Sequence, residues 1–383
     1  MTASTRPAEL PVVVVGGGFA GVGAAWAAAR AGRPVVVVHA GAGASALYSG
    51  IVDGSAPSAE ALELALLLGL AMGSVPRAVA TREGGVRLAS GRDRALLDLD
   101  ALAGRRIAVL DLGRDDWDAE LLAKSFTESA WGKRTRTQFE AVRVNGLLDG
   151  AERRIAAHDL ATRFDDSARV GALARQMRDA SPDAAAWLTP PLLGVRSEAA
   201  SQLAALLSRP VGETSSAPAG AAGARFELRR DELFDRLGVR NERARVENVA
   251  ADESALRVEL SQGESLRARA VVLALGGVAA GGIVLSSLMG QPLQFALSLS
   301  ADAVLRCDGE LLDAGSSLWG PSFVRNGLSL LERVGVHADV AGRVSSAQAL
   351  FAAGDLVADR PRTVLEALAA GTRTGLAASQ FVG

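Results

Sequence analysis

The sequence has little cysteine and histidine and no marked excess of charge of either sign. A single cysteine, Cys307, excludes an internal disulfide and any iron-sulfur cluster ligated by cysteines of this chain alone, and it favours a reducing compartment such as the cytoplasm. The 41 basic and 43 acidic residues nearly cancel, leaving a net charge of −2. With no basic block standing out, nucleic acid is not an expected partner.

Signals for secretion and for a membrane span are also weak. The N-terminal residues MTASTRPAEL contain no hydrophobic core of the kind that signal peptides have. The stretch from Ala270 to Gly290 is uncharged and long enough for a transmembrane helix, but glycines interrupt it at positions 276, 277, 281 and 282. We therefore interpret AVVLALGG in this stretch as a buried parallel strand.

The segment PVVVVGGGFAGVGAAWAAARAGRPVVVVHAG predicts a strand, a glycine turn, a helix and a second strand in direct succession. Gly16, Gly18 and Gly21 have the G-x-G-x-x-G spacing. In such a motif the first glycine permits the tight turn, the second lets a pyrophosphate approach the backbone, and the third lets the helix pack closely. Since a helix N-terminus favours negative charge, the sequence predicts a dinucleotide site here.

An acidic residue that usually follows the second strand is missing. Dinucleotide folds place Asp or Glu there to bind the adenosine ribose, whereas this chain has His39, Ala40 and Gly41. The absence argues against a plain NAD site, and no arginine follows that would hold a 2′-phosphate. Either backbone and water hold the ribose, or the nucleotide binds in a family-specific way.

Two further loops are candidates for cofactor contacts. The loop SALYSGIVDG contains Ser49, Gly50 and Asp53, and loops that leave the C-terminal ends of parallel strands face the ligand crevice. A flexible connection is the alternative. Near the C-terminus, ALFAAGDL ends in Gly354 and Asp355 before a predicted helix, where a carboxylate could bind polyol hydroxyls or serve as a turn or N-cap residue.

A length of 383 residues predicts two domains in an α/β fold. We expect residues 1–80 and 266–383 to form one discontinuous Rossmann-like FAD/NAD(P)-binding domain, because the first and last strands must join one parallel sheet. Residues 81–265 would form an inserted α/β or α+β cap or substrate domain. Apolar patterning also predicts a helix over 59–73, and turn-forming residues predict a loop over 214–225.

Several patches in this order resemble the smaller, flavin-bearing subunit of the anaerobic glycerol-3-phosphate dehydrogenases, which belongs to the flavoproteins with two dinucleotide-binding domains. The patches are GGGFAG, SALYSGIVDG, AGRRIAVLDL, ATRFDD, ARFELRRDELF, RARAVVLALGG and LFAAGDL, and they are spread along most of the chain, from residue 16 to residue 356. The sequence departs from the family after its Gly-Asp pair, where ADRPRTVLEALAAGTRTG replaces a cluster of glycines and cysteines. This departure puts the family's flavin contacts there in question.

The resemblance implies a flavin cofactor, FAD or alternatively FMN, with the first glycine motif on the pyrophosphate and the Gly-Asp pair on the ribityl chain. No metal site is predicted. The residues implied or predicted to bind the cofactor are Gly16, Gly17, Gly18, Phe19, Ala20, Gly21, His39, Ser49, Gly50, Gly276, Gly354 and Asp355.

The same resemblance implies that the chain works in a hetero-oligomer. It would pair with a larger catalytic flavoprotein subunit and an iron-sulfur subunit that passes electrons towards membrane quinone. The substrate would be sn-glycerol 3-phosphate, oxidised to dihydroxyacetone phosphate. The implied location is cytoplasmic, peripheral on the cytoplasmic face of the inner membrane.

The sequence assigns no catalytic residue. Oxidation of a secondary alcohol through flavin needs a base for the hydroxyl proton, and the chain offers only His39, His158 and His337, each also explained as a structural or loop residue. Arg163 and Arg225 lie in family-like patches and are candidates for a substrate phosphate. Two functions therefore remain open: a flavin-dependent dehydrogenase subunit, and a non-catalytic flavin electron-relay or scaffold subunit.

Overall fold

In the computed structural model the chain forms the β-strands and α-helices of an α/β fold. The structure describes residues 9–41, 43–54, 58–286, 294–307, 310–311, 324–325, 328–344 and 349–381. Within these residues the strands are β1 Val12–Val15, β2 Val35–His39, β3 Ile51–Val52, β4 Leu70–Ala80, β5 Val86–Asp93, β6 Arg106–Asp111, β7 Gln138–Arg143, β8 Ala186–Thr189, β9 Val211–Glu213, β10 Arg240–Arg243, β11 Val246–Asp252, β12 Ala255–Leu260, β13 Ser265–Ala268, β14 Ala270–Leu273, β15 Ile283–Ser286, β16 Gln294–Leu297, β17 Ser300–Ala301, β18 Leu305–Cys307, β19 Glu310–Leu311, β20 Val324–Arg325, β21 Leu328–Ser329, β22 Gly335–Val336 and β23 Leu350–Ala352.

The same described residues also form α-helices. They are α1 Phe19–Arg30, α2 Ala59–Leu67, α3 Ala119–Glu128, α4 Ala130–Thr135, α5 Ala157–Arg163, α6 Ser167–Ala180, α7 Ala199–Leu207, α8 Ala221–Leu237, α9 Leu330–Arg333 and α10 Val364–Gln380. In the described part of the chain, none of the helices combines the length and the apolar character that crossing a bilayer requires.

Two compact units divide the chain. The first unit contains the described parts of Met1–Ser45, Gly54–Ala65 and Arg230–Gly383, and the second contains Ala46–Asp53 and Leu66–Arg229. The first unit is therefore discontinuous in sequence.

The first unit is built on a five-stranded parallel sheet with the order β10-β2-β1-β14-β23. Every residue of β1 and of β14 is buried. Because successive side chains of a strand point to opposite faces, both faces of the sheet are covered at these strands, as is usual for parallel sheets. The predicted Rossmann-like α/β fold is confirmed, with strands from both ends of the chain in one sheet.

Helices α1 and α10 pack on each other without side chains between their backbones. A Cβ atom added at Gly371 would lie 2.1 Å from the Ala20 carbonyl oxygen, and one at Gly375 would lie 2.2 Å from that of Ala24. Both glycines belong to the segment in which the sequence departs from the family pattern. Their role in the structure is therefore to bring the N-terminal and C-terminal helices together.

The remaining strands of the first unit form small sheets. β11, β12 and β13 are antiparallel, and β17 joins this sheet parallel to β11. The shorter pairs are β15 with β16, β18 with β19 and β22, and β20 with β21.

The second unit has its own parallel sheet, in the order β7-β6-β8-β9, and an antiparallel sheet, β3-β5-β4. Along β6 the side chains alternate between two hydrophobic clusters, with Ile107 and Val109 in one and Ala108 and Leu110 in the other. This alternation shows that both faces of β6 are buried. The second unit is therefore another α/β unit.

The compact units differ from the predicted domain bounds at three places, the first being residues 46–53, which belong to the second unit. Residues 66–80 belong to the second unit because β4 pairs with β5. Residues 230–265 belong to the first unit, because β10 pairs with β2 and so extends the main sheet of that unit. The latter two differences come from strand pairings between segments distant in sequence.

Two local predictions need correction. The helix expected over 59–73 ends at Leu67, and the chain continues as β4 from Leu70, because pairing with β5 overrides the helical pattern of this apolar run. The loop expected over 214–225 is shorter, because α8 begins at Ala221, where its alanines favour helix.

Candidate functional site

The glycine turn between β1 and α1 is the centre of the candidate site. Gly16 has a φ of +117°, and a Cβ there would lie 2.2 Å from the carbonyl oxygen of Ala274, next to β14. A Cβ at Gly21 would lie 1.8 Å from the carbonyl oxygen of Gly16. Both positions therefore require glycine, and the third glycine packs the helix against the turn itself rather than only against the sheet.

The N-terminus of α1 is contacted by a serine that the sequence analysis did not single out. The Phe19 amide donates a hydrogen bond to Oγ of Ser45, at 3.2 Å. A Cβ at Gly18 would lie 2.8 Å from the same oxygen, so glycine is needed for this approach. Ser45 thus places a hydroxyl oxygen at a helix N-terminus, where acceptor groups are favoured.

His39 is the last residue of β2 and is only 5% exposed. Its Nδ1 lies 3.0 Å from the Gly41 carbonyl oxygen, which can only accept, so Nδ1 carries a proton and, in the neutral ring, Nε2 is an acceptor. Nε2 is buried without a hydrogen-bond partner in the described structure. The ring lies 3.1 Å from the point that a Cβ of Gly17 would occupy, beside the glycine turn.

A buried arginine supports the other side of the same turn. Arg230 of α8 is 1% exposed, and its Nη1 donates to the Gly17 carbonyl oxygen at 3.3 Å. Its Nε donates to Oδ1 of Asp231 at 2.8 Å. Sequence reasoning missed Arg230, since no spacing connects it with a glycine more than two hundred residues earlier.

The C-terminal ends of β14 and β23 lie at the same edge of the sheet as the glycine turn. Gly276 and Gly354 both have positive φ angles, +76° and +69°. A Cβ at Gly354 would lie 2.5 Å from Cβ of Ala20 in the first turn of α1, and one at Gly277 would lie 3.0 Å from the carbonyl oxygen of Asp355. The head and the tail of the chain therefore meet around this turn.

Asp355 does not precede a long helix directly, as the sequence suggested. It lies in a short 3-10 turn, Gly354–Leu356, whereas α10 begins at Val364 and is capped by the Thr363 hydroxyl, which accepts from the Glu366 amide. Burial raises the pKa of the Asp355 carboxyl above its usual range, and the charge of Arg362 opposes this shift. Its predicted contact with a ribityl chain stays a prediction.

Ser49 and Gly50 belong to the second unit. The Ser49 carbonyl accepts from the Ser216 amide at 2.7 Å. Gly50 has a φ of +92°, and a Cβ there would lie 2.6 Å from Cδ1 of Leu96. These contacts give both residues a structural role within that unit, and their predicted cofactor contact stays a prediction.

The arginines considered for a substrate phosphate are engaged in ion pairs. Arg225 is buried against Glu213, with 2.5 Å between Nη2 and Oε2, and against Asp93, with 3.3 Å between Nε and Oδ2. Arg163 pairs with the buried Glu152 at 2.8 Å. These contacts favour structural roles for both arginines.

The two remaining histidines are exposed. The His158 Nε2 lies 3.3 Å from Oδ1 of its neighbour Asp159, and His337 is exposed near β22. Among the described residues, no group of histidine, cysteine, aspartate and glutamate side chains is arranged to hold a metal ion.

The first part of the chain matches a known sequence family. The family model of glucose inhibited division protein A matches residues 11–72, which include β1, the glycine turn, α1 and β2. No curated protein matches the chain significantly.

Several solved structures resemble the whole chain at low identity. The GidA-related protein from Thermus thermophilus is 13% identical, with 96% of this chain and 97% of that chain covered and a TM-score of 0.36. The thioredoxin reductase of T. acidophilum is 14% identical, with 97% of each chain covered and a TM-score of 0.26. The strand order of the first unit is that of a Rossmann-like fold, and FAD is the cofactor that the family match supports.

Proposed function

We propose that this chain is an FAD-dependent oxidoreductase subunit that takes part in the oxidation of a small secondary alcohol, with sn-glycerol 3-phosphate as the substrate. The observation that carries the flavin part is the glycine turn, with Nε2 of His39 beside it, which has no hydrogen-bond partner among the described residues, and with the ends of β14 and β23 at the same edge. The substrate follows from the family resemblance alone.

The residues at the turn fit a dinucleotide. Gly16 to Gly18 and the N-terminus of α1 would hold the pyrophosphate, and Asp355 would bind ribityl hydroxyls. Nε2 of His39 is an acceptor at the position where related folds place a carboxylate for the adenosine ribose. An uncharged imidazole can therefore replace the missing acid.

His39 also supports FAD over FMN. FMN has no adenosine, so a buried acceptor at the end of β2 would have no hydroxyl to bind if FMN were the cofactor. When bound, the flavin supplies a ring that accepts a hydride from the substrate carbon. The chain's own contribution at this site is to bind and orient the nucleotide.

The alternative is a subunit that relays electrons through its flavin, or serves as a scaffold, without oxidising substrate. The environments of the histidines favour this alternative, since His39 is tied to Gly41 and both His158 and His337 are exposed. In both versions, the proposed partners are a larger catalytic flavoprotein subunit and an iron-sulfur subunit, as the resemblance implies.

Absorption spectroscopy of the purified chain tests the proposal. We expect visible flavin bands after reconstitution with FAD, and release of FAD rather than FMN on acid treatment. A chain that takes up no flavin would overturn the proposal.

Anaerobic addition of sn-glycerol 3-phosphate then separates the two versions. We expect no bleaching for the isolated chain and bleaching when the other two subunits are added. Rapid bleaching of the isolated chain would rule out the relay alternative, and no bleaching with the full complex would rule out the substrate.

A further inference from the structure

Arg230 of α8 is a buried arginine that contacts the glycine turn of the first unit. Its side chain is 1% exposed, and burial of a charged group is costly unless hydrogen bonds and a counter-charge compensate for it. Nη1 of Arg230 donates to the Gly17 carbonyl oxygen at 3.3 Å, and Nε donates to Oδ1 of Asp231 at 2.8 Å. The guanidinium therefore lies between the turn and a carboxylate.

The carboxylate of Asp231 compensates the charge of Arg230, so the pair brings no net positive charge to the turn. Its position is set by the main sheet, because Oδ1 of Asp231 also accepts from Nδ2 of Asn241 at 3.3 Å. Asn241 lies in β10, opposite Val37 of β2, and β2 pairs in turn with β1, which leads into the glycine turn. The guanidinium is thus fixed relative to the turn, and its contribution there is geometric rather than electrostatic.

The group that Arg230 holds is the peptide bond between Gly17 and Gly18. A trans peptide is planar, and its C=O and N–H point in opposite directions. Because Nη1 of Arg230 binds the carbonyl oxygen, the Gly18 amide faces away from the arginine. That amide, at the N-cap of α1, donates to none of the residues that the structure describes. It is therefore available to an anionic oxygen at the helix N-terminus.

The orientation of this peptide is the least constrained feature of the turn, because glycine stands on both sides of it. Glycine tolerates backbone angles that other residues do not, so rotation of a peptide plane between two glycines has a small steric cost. A rotated peptide would place the Gly17 carbonyl oxygen, rather than the Gly18 amide, where phosphates bind at the start of α1. Since an oxygen repels a phosphate, the orientation must be held by a group outside the turn.

The same contact explains the glycine at position 17. This position is an x of the G-x-G-x-x-G spacing, which does not demand glycine. A Cβ there would lie 3.5 Å from Nη1 of Arg230 and 3.1 Å from Cδ2 of His39, and the shorter distance is tighter than ordinary van der Waals contact. Glycine at this position therefore lets the guanidinium and the imidazole pack against the same peptide.

We propose that Arg230 is a positioning residue for FAD, which holds the Gly17–Gly18 peptide in the orientation whose amide can donate to the pyrophosphate. In this role Arg230 acts through the peptide and not by contact with the phosphates. The inference rests on the flavin part of the proposed function. It assigns part of the affinity for the dinucleotide to a residue outside the glycine motif.

Fluorescence titration of the apoprotein with FAD tests this inference. Arg230→Met, which keeps an unbranched side chain but removes its donors, should weaken FAD binding about tenfold, because free energy is then needed to orient the peptide. Arg230→Lys, whose ammonium can still donate to the Gly17 carbonyl, should recover most of the affinity. Arg236→Met is the matched control, since Arg236 lies on the same helix but is exposed, and it should leave FAD affinity unchanged.

Asp231→Ala separates positioning from electrostatic attraction. This substitution removes the carboxylate that compensates the charge of Arg230 and accepts from its Nε. Attraction between the guanidinium and the pyrophosphate predicts tighter binding of FAD. Positioning predicts binding that is a few-fold weaker, because the guanidinium loses the group that fixes it. Tighter binding would therefore contradict the inference.

Phosphorus NMR of the FAD-saturated protein adds a readout that a general loss of stability would not move. We expect the pyrophosphate resonances to shift in Arg230→Met and to keep their wild-type positions in Arg236→Met. Wild-type affinity of Arg230→Met, or weaker binding with unshifted resonances, would overturn the inference and leave the proposed function intact. If Arg230→Met does not fold, the titration of Asp231→Ala decides. No uptake of FAD by the wild type would instead overturn the proposed function, and this inference with it.

Discussion

His39 is the residue at which this chain differs most clearly from the usual dinucleotide site. Because the Gly41 carbonyl accepts the Nδ1 proton, the neutral tautomer of the ring has its acceptor at Nε2, where a carboxylate would bring a negative charge. The sequence showed that the expected acid was missing. It did not show what the histidine does, because the hydrogen bond that fixes the ring becomes visible only in the structure.

His39→Phe should weaken FAD binding by about 1 kcal/mol, or about fivefold, because the acceptor for a ribose hydroxyl is lost. Binding of FMN, which has no adenosine ribose, should not change. Fluorescence titration of the apoprotein with each flavin measures both affinities. His39→Gln, which keeps an acceptor, is the control, and an equal loss of FAD and FMN affinity would contradict the prediction.

Glu152 is a buried carboxylate whose ion pairs with Arg163 and Arg169 should make the stability of the protein depend on pH. The pKa of the Glu152 carboxyl is lowered from 4.5 to about 2, mainly because Arg169 donates hydrogen bonds to it. Burial of the carboxyl acts in the opposite direction. A lowered pKa in the folded state means that the ionised carboxylate stabilises the fold at pH values above the unfolded pKa. This stability is lost as the pH falls through the folded pKa.

The free energy of unfolding should therefore fall by up to about 3 kcal/mol between about pH 5 and pH 2 through this residue alone. Glu152→Gln should make the protein less stable at neutral pH and should flatten this part of the profile. Urea unfolding at a series of pH values measures how the free energy of unfolding of each protein depends on pH. Glu128→Gln, at an exposed position of α3, should keep the wild-type profile.

At the scale of elements, the sequence predicted the β1-turn-α1-β2 segment well because its determinants are local. These determinants are a run of valines, three spaced glycines and an alanine-rich helix, which lie close together in the sequence. Each sets the backbone conformation of its own residues. Ser45 and Arg230 were missed because they reach the turn from other segments. The boundary between α2 and β4 was missed because an apolar run fits a buried helix and a buried strand equally well.

The contact between α1 and α10 predicts opposite effects for two glycine substitutions. Gly375→Ala would place a Cβ 2.2 Å from the Ala24 carbonyl oxygen, so the helices must separate. We expect a loss of about 2 kcal/mol, since overpacking outweighs the gain in helix propensity. Gly171→Ala in α6 should instead stabilise by about 0.5–1 kcal/mol. The atom nearest to its new Cβ is the end of a flexible arginine at 3.8 Å.

Urea unfolding of both variants checks the pair of predictions. If Gly375→Ala proved as stable as Gly171→Ala, the close approach of the two helices would be wrong.

At the scale of the whole molecule, binding of FAD should stabilise the fold by mass action. At a free FAD concentration about one hundred times the dissociation constant, the free energy of unfolding should rise by about 2.7 kcal/mol. Thermal unfolding with and without FAD measures the effect, and ADP serves as a control that should reproduce part of it. No shift in the melting temperature at saturating FAD would contradict the assignment of the site.

The domain bounds were the least predictable property of the whole chain. They depend on β10 joining β2 and on β4 joining β5, and neither pairing leaves a pattern within the paired segments. The fold class could be predicted without knowing these two strand pairings, since the glycine motif, the strand at AVVLALGG and the strand near residue 350 already require one parallel sheet.

The discontinuity of the first unit has a consequence for biosynthesis. Its central sheet needs β23, and the cover of α1 needs α10, both of which a ribosome makes more than three hundred residues after β1 and α1. The parallel sheet of the second unit, by contrast, is encoded continuously between β6 and β9. During translation the second unit can therefore fold while the valines of β1 still lack their partners, so the growing chain should need chaperones until β23 and α10 have been made.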